Sequence, residues 1–232
     1  MQRDDSIKHP RIVRSFVRRE GRMTRGQQRA LAELLPRYGI QLREQPLDLV
    51  QVFGRSAACC LEIGFGNGAN LQAMAQQHPE RNYLGIEVHR PGMGNLLLQI
   101  EEHGIENIRV ICADAVEVVK SNIPPASLDA VYIFFPDPWH KRRHHKRRLV
   151  QPEFVELLRE RLKPGAILHM ATDWEDYARH MLAVMQQVSG FVNTAPGGGF
   201  SPRPDYRVLT KFEQRGMRLG HGVWDLIFRR ED

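Results

Sequence analysis

The chain is 232 residues long, 42% hydrophobic, and carries a formal net charge of +6. That is enough apolar content for one good-sized core, which excludes wholesale disorder, and no run of about 18 apolar residues is present to cross a membrane. The charge is concentrated: residues 1–29 hold nine Lys/Arg against three Asp/Glu, and residues 139–148 hold six Lys/Arg and no acid. A polyanionic partner is therefore expected, nucleic acid first and a membrane surface second.

Residues 1–29 read as a basic, weakly structured arm. Arg11, Arg14, Arg18, Arg22, Arg25 and Arg29 recur at helix-like spacing with no apolar stripe beside them, so ordering on a partner is expected rather than a stable free helix. Residues 30–232 read as one domain. A helix is expected over 27–35, stopped by Pro36, and 47–53 is an apolar lead-in of ambiguous type. From residue 57 the pattern alternates. Strands are expected over 57–63, 82–88, 108–113, 128–135 and 166–171. Helices over 70–78, 91–103, 115–122, 152–162 and 174–188 follow them, with a turn at Lys163-Pro164-Gly165. Such alternation implies an α/β fold with a doubly wound, mostly parallel sheet. At the end, 208–212 and 223–228 are strand-like with no helix between them. They predict an antiparallel C-terminal hairpin that completes a seven-stranded sheet. Cys59, Cys60 and Cys112 lie in apolar runs without metal spacing and are expected as buried small side chains in a reduced compartment. The N-terminus lacks the apolar core of a signal peptide, so a cytoplasmic location is expected.

The chain is organised around residues 60–68, Cys-Leu-Glu-Ile-Gly-Phe-Gly-Asn-Gly. An apolar run ends at Glu62, and Gly64, Gly66 and Gly68 follow at alternate positions. Strand, glycine turn and helix form the nucleotide-binding arrangement of open α/β sheets. With Ala69 in the last place the stretch also satisfies the dinucleotide fingerprint. Carboxylates stand at the ends of five successive strands: Glu62, Glu87, Asp114, Asp137 and Asp173. Ligands of open parallel sheets sit there, although singly each acid could be a surface group, and Asp114 and Asp173 could be N-caps. Glu87 lies 19 residues beyond Gly68, where an acid that holds a ribose diol belongs. Nicotinamide dehydrogenases share that feature, but the length leaves little room for their separate substrate domain. An acid inside the first strand suits a cationic cofactor instead. A third reading is an RNA-binding protein that kept this fold without catalysis.

Glu62-x-Gly64-x-Gly66-x-Gly68 with Glu87 and Asp114 resembles the class I S-adenosylmethionine-dependent methyltransferases, whose Rossmann-like sheet ends in such a hairpin. Further motifs narrow the resemblance. They are Gly21-Arg-Met-Thr24, Phe135-Pro-Asp-Pro-Trp-His-Lys141, Thr210-Lys-Phe-Glu-Gln-Arg-Gly216 and Leu219-Gly-His-Gly-Val-Trp-Asp225. Together they resemble the bacterial tRNA (guanine-N7-)-methyltransferases from about residue 21 to 229. The resemblance implies methyl transfer from S-adenosyl-L-methionine to N7 of a guanine in the tRNA variable loop (position 46), giving 7-methylguanosine. The implied partner is tRNA, with no membrane and no metal, and the implied state is a monomer.

The resemblance also implies residue roles. Asp137 is the catalytic carboxylate and touches the cofactor. Glu62 faces the cationic end of the cofactor, Gly64, Gly66 and Gly68 its amino-acid end, Glu87 its ribose, and Asp114 with Ala115 its adenine. Substrate contacts fall on Lys141, Asp173, Thr210, Lys211, Phe212 and Glu213. RNA contacts fall on Arg143, His144, His145, Lys146, Arg147 and Arg148. Trp139 either stacks on the target base or packs under its loop. His140, His144 and His145 lack a partner at metal spacing. Trp174, Trp224, Met181 and Met185 are expected in the core.

Overall fold

The structure is a computed structural model that describes residues 14–16, 21–210, 213–214 and 222–232. Five parallel strands form its centre: β1 (Cys59–Ile63), β2 (Asn82–Ile86), β3 (Ile108–Ile111), β4 (Leu128–Phe134) and β5 (Leu162–Thr172). Two antiparallel strands follow, β6 (Phe191–Asn193) and β7 (Trp224–Arg230), and the sheet order is β3-β2-β1-β4-β5-β7-β6. Every residue of β1 and β2 is buried, as a sheet covered on both faces requires.

The helices take up those two faces. Helices α1 (Arg25–Glu33), α4 (Ala69–Gln77) and α5 (Arg90–His103) cover one face through Ala30, Leu71, Met74, Met93 and Leu96. Helices α6 (Ala115–Ser121), α7 (Pro152–Arg161) and α8 (Glu175–Gln187) cover the other through Val119, Phe154, Tyr177, Met181 and Met185. Strand alternation sorts β1 between them: Leu61 and Ile63 join the second core, Cys60 the first. Two short helices, α2 (Leu35–Tyr38) and α3 (Leu49–Phe53), precede the sheet. The ambiguous stretch at 47–53 is thus helical, started by the Asp48 side chain accepting from the Gln51 amide at 3.0 Å and ended by Gly54 in the left-handed conformation.

Several expectations change. The boundary expected between residues 29 and 30 falls inside α1. Thr24 caps that helix in a reciprocal pair with Gln27, and Arg29 pairs with Glu101 of α5 at 2.6 Å. The Thr-x-x-Gln capping box is visible in the sequence but lies inside the basic stretch. The expected turn at Lys163-Pro164-Gly165 is part of β5, where the pairing with β4 shifts register and Gly165 takes φ 78°. The hairpin pairs β7 with β6, not with 208–210. Residues 208–210 are not strand, and 211–212 lie outside the described residues. Both edges of β7 are already taken by β5 and β6. Cys112 is exposed, unlike Cys59 and Cys60. Trp174 is 40% exposed rather than in the core, and Trp224 is half-buried, while Met181 and Met185 are buried as expected. Among the described residues no helix is long and apolar enough to cross a membrane.

Candidate active site

The carboxyl ends of β1, β2 and β4 open into a cavity of about 700 Å³. One wall is the glycine turn. Gly64, Gly66 and Gly68 have φ of 76°, 57° and 81°, a region that side chains other than glycine adopt at a cost. A Cβ on Gly64 or Gly66 would meet no protein atom within 4 Å. Space beside these two positions is therefore open to a ligand. Gly92 of α5 serves the same turn from behind: a Cβ there would stand 2.1 Å from the Gly66 carbonyl oxygen. In the sequence, Pro91-Gly92 shows only a helix start and not this close approach.

Glu87 ties this turn to β2. One of its oxygens accepts from the Gly66 amide at 2.8 Å and the other from the Val88 and His89 amides at 2.7 and 2.9 Å. The oxygen that accepts only from Gly66 keeps acceptor capacity toward the cavity, which Glu87 lines. Glu62 lies beneath the turn, 3% exposed, and accepts from Asn70 Nδ2 at 3.2 Å. Burial pushes its carboxyl up to about 7, the Asn70 hydrogen bond opposes this, and the nearby Glu87 charge adds to it. Two carboxylates, one reluctant to ionise, make a place where a cation is favourable. Ala115 lines the cavity. Asp114 instead caps α6, accepting from the Val116 amide at 3.0 Å, and lines an adjoining groove between α6 and α7.

The opposite wall is the turn after β4. Phe135 and Trp139 both have positive φ, 51° and 50°, a strain of about 1–3 kcal/mol each. They bracket Pro136-Asp137-Pro138, so Asp137 is exposed at the mouth of the cavity on a stiffened loop. Phe134 pairs with Ala171 in β5. Asp137 and Asp173 therefore leave neighbouring strands side by side. Asp173 is half-buried and does not cap α8; Trp174 occupies that position without a side-chain bond. The exposed Trp174 ring meets His140 edge-on at 4.2 Å.

The basic run forms a 3₁₀ helix over Arg142–Arg147, and its members separate. Lys141, Arg143 and Lys146 are exposed; His144 and His145 are half-buried. Burial and the surrounding cations hold the His144 imidazole below its usual value. Arg147 lies 3.8 Å over the Trp139 ring and donates to the carbonyls of Arg14 and Phe16. Trp139 Nε1 donates to the Ser15 carbonyl at 3.0 Å. Trp139 is thus packed within its loop against the arm. Arg148 does not face solvent as expected of an RNA contact. Its side chain is 1% exposed, donates to the Pro138 carbonyl at 3.0 Å, pairs with Asp176 and stacks on Tyr177. It braces the Asp137 turn from inside.

Thr210 is half-buried and its hydroxyl accepts from the Glu213 amide at 3.2 Å. Glu213 is 2% exposed, with both oxygens held by Arg207, so its carboxylate is turned into the protein rather than toward a substrate. Lys211 and Phe212 lie outside the described residues. Among the described residues, no group of three or more His, Cys, Asp or Glu could hold a metal ion.

Comparison with known proteins bears on this geometry. Residues 56–226 match the family described as "Putative methyltransferase". A tRNA (guanine-N(7)-)-methyltransferase of Aeromonas hydrophila is 60% identical over 223 residues, 96% of this chain and 94% of that protein. The protein of the same description from Klebsiella pneumoniae is 56% identical over 227 residues, covering 98% and 95%. Among solved structures, the 16S rRNA methyltransferase KamB aligns with a TM-score of 0.60 at 16% identity, covering 81% of this chain and 95% of that one. That likeness shows the class I methyltransferase fold.

Proposed function

This chain belongs to the tRNA (guanine-N(7)-)-methyltransferase family, and from that premise we propose that its cavity carries methyl transfer from S-adenosylmethionine to guanine N7 in tRNA. The observation that carries the reading is the pairing of two unlike walls: an open glycine turn over two carboxylates, and a stiffened turn presenting Asp137. S-adenosylmethionine supplies an electrophilic methyl on a cationic sulfur. Glu62 and Glu87 suit that charge, Glu87 also suits a ribose diol, and the open backbone at Gly64 and Gly66 suits the amino-acid end. Ala115 and the Asp114 backbone suit the adenine edge.

Guanine N7 carries an in-plane lone pair and is unprotonated at neutral pH, so no general base is needed. The chain's task is alignment and exclusion of competing poses. Methylation leaves the base cationic. Asp137, aimed at the guanine edge, would accept from its N–H donors and stabilise the developing charge. Lys141, which lines the cavity, would hold the nucleotide together with Asp173 and Thr210. Arg143 and Lys146 would meet the RNA backbone, setting affinity rather than sequence choice. We assign the target to the variable-loop guanine, the location to the cytoplasm and the working form to a monomer. Residues 21–232 are taken as the catalytic body, with the more N-terminal residues as an RNA-facing arm.

The test is direct. Purified protein, labelled S-adenosylmethionine and unmodified tRNA are incubated, and the digested nucleosides are identified. Accumulation of 7-methylguanosine is expected. Cofactor binding without any 7-methylguanosine would sink the reading.

A further inference from the structure

Arg207 lies outside every motif identified in the sequence, yet it joins three parts of the acceptor side. It is 1% exposed. Its Nη1 and Nη2 donate to the two Glu213 oxygens at 2.7 and 2.8 Å. Its Nε and Nη2 donate to the two Asp225 oxygens at 2.6 and 2.9 Å. One planar guanidinium thus grips two carboxylates, a geometry that lysine cannot reproduce. Asp225 lies on β7 and also accepts from His169 of β5 at 2.8 Å. Because a carboxylate only accepts, His169 Nε2 carries the proton, and its Nδ1 is left to accept from Tyr206 at 3.0 Å. Burial lowers the pKa of that imidazole from its usual value, against the pull of Asp225.

Two further contacts decide what this cluster does. The guanidinium carbon lies 5.6 Å from the ring centre of Phe135, the positive-φ residue that starts the Asp137 turn. One residue on from Arg207, the Val208 amide donates to Asn70 Oδ1 at 3.2 Å, and Asn70 in turn donates to Glu62. A cluster needed only to hold the sheet would sit between β5 and β7, which already pair over six positions. This one reaches from the sheet to the Asp137 turn, to the Thr210 turn and to the base of the glycine loop.

We propose that Arg207 is a positioning residue that locks residues 207–210 and Glu213 against the Phe135–Asp137 turn, so that the acceptor side of the site assembles as one unit. The proposal rests on the methyl-transfer reading above and adds to it the residue that sets acceptor geometry. On this account Glu213 acts through Arg207 rather than by touching the base.

The experiment uses the full-length protein. For wild type and Arg207→Lys it measures the melting temperature, the Kd for S-adenosylhomocysteine, the Kd for tRNA and the single-turnover rate of 7-methylguanosine formation. Arg207→Lys is expected to keep both affinities within about threefold and to lose about 30-fold or more in rate, since misalignment acts on the chemical step. Should Arg207→Lys fail to fold, the triple variant R207Q/E213Q/D225N removes all three charges together and with them the cost of an unpaired buried carboxylate; the same split is expected of it. A folded variant with the wild-type rate would overturn the proposal. So would a rate loss matched by an equal loss of cofactor affinity, which would mark a general structural role. Wild-type protein that makes no 7-methylguanosine would overturn the reading of the activity, and this inference with it.

Discussion

At the β1–β2 end of the cavity the wall is backbone; at the β4–β5 end it is a turn held by side chains from distant segments. Gly64, Gly66 and Gly92 shape the first wall by what they lack, and Glu87 holds it through bonds to Gly66, Val88 and His89 within one strand–helix–strand unit. The second wall bends through two strained non-glycine residues and is held by two buried arginines, Arg148 on Pro138 and Arg207 beside Phe135. A donor that is always the same molecule suits a wall made of fixed backbone. An acceptor that is one base of a large RNA suits a wall whose side chains can be set separately.

Variants should divide along the same line. Asp137→Ala is expected to lower methyl transfer by about 10²–10³-fold, the usual cost of removing one preorganised electrostatic group, with cofactor affinity within a few-fold. Equal loss of cofactor binding, measured by calorimetry, would erase the distinction between the walls. Gly92→Ala should do the reverse: its Cβ collides with the Gly66 carbonyl, costing about 1–3 kcal/mol. Weaker cofactor binding and a lower melting temperature are expected, with tRNA affinity unchanged in filter binding.

Glu62 gives the donor wall a pH signature. Its folded pKa of about 7 lies above the ordinary glutamate value of 4.5. Its contribution to the stability of the cofactor-free protein is therefore full below pH 4.5 and is lost as pH rises to about 7. A cationic ligand favours the ionised form. Affinity for S-adenosylmethionine should rise through about pH 5.5–7, by at most about tenfold per unit for a single proton, and level off above. Glu62→Gln should flatten both curves; unchanged slopes in calorimetry and thermal melts would remove Glu62 from the account. The smallest effect belongs to the basic run. Neutralising Arg143 and Lys146 together should reduce the slope of log affinity for tRNA against log salt, by about 0.7–0.9 for each phosphate the protein ceases to neutralise. Arg148→Ala should lower the melting temperature instead, and a salt-slope change from Arg148 would put it back on the RNA surface.

Much of the donor wall is legible in the sequence. Glycines at alternate positions after an apolar run need only their own φ values to form the turn, and Glu87 follows at a fixed remove along one strand–helix–strand unit. The acceptor wall is legible only as motifs. Asp137 stands out, but not the pair of left-handed residues that hold it. Arg148 looks like its exposed neighbours because a basic run shows charge and not direction. Glu213 looks like a substrate ligand because nothing near it names Arg207 as its partner. The segment at 208–212 carries a strand pattern, but the edges of β7 are already occupied.

The sequence by itself determined the alternation of strands and helices, the glycine turn, and the row of acids at the strand ends. These are local properties, set by periodicity and by what each backbone position can adopt. Tertiary structure alone decided which charges face outward and which are turned in. Asn70 meets Val208 across 138 residues, and Trp139 meets Ser15 across 124. A charged side chain's partner depends on where remote strands bring it, and that is fixed only when the sheet has assembled.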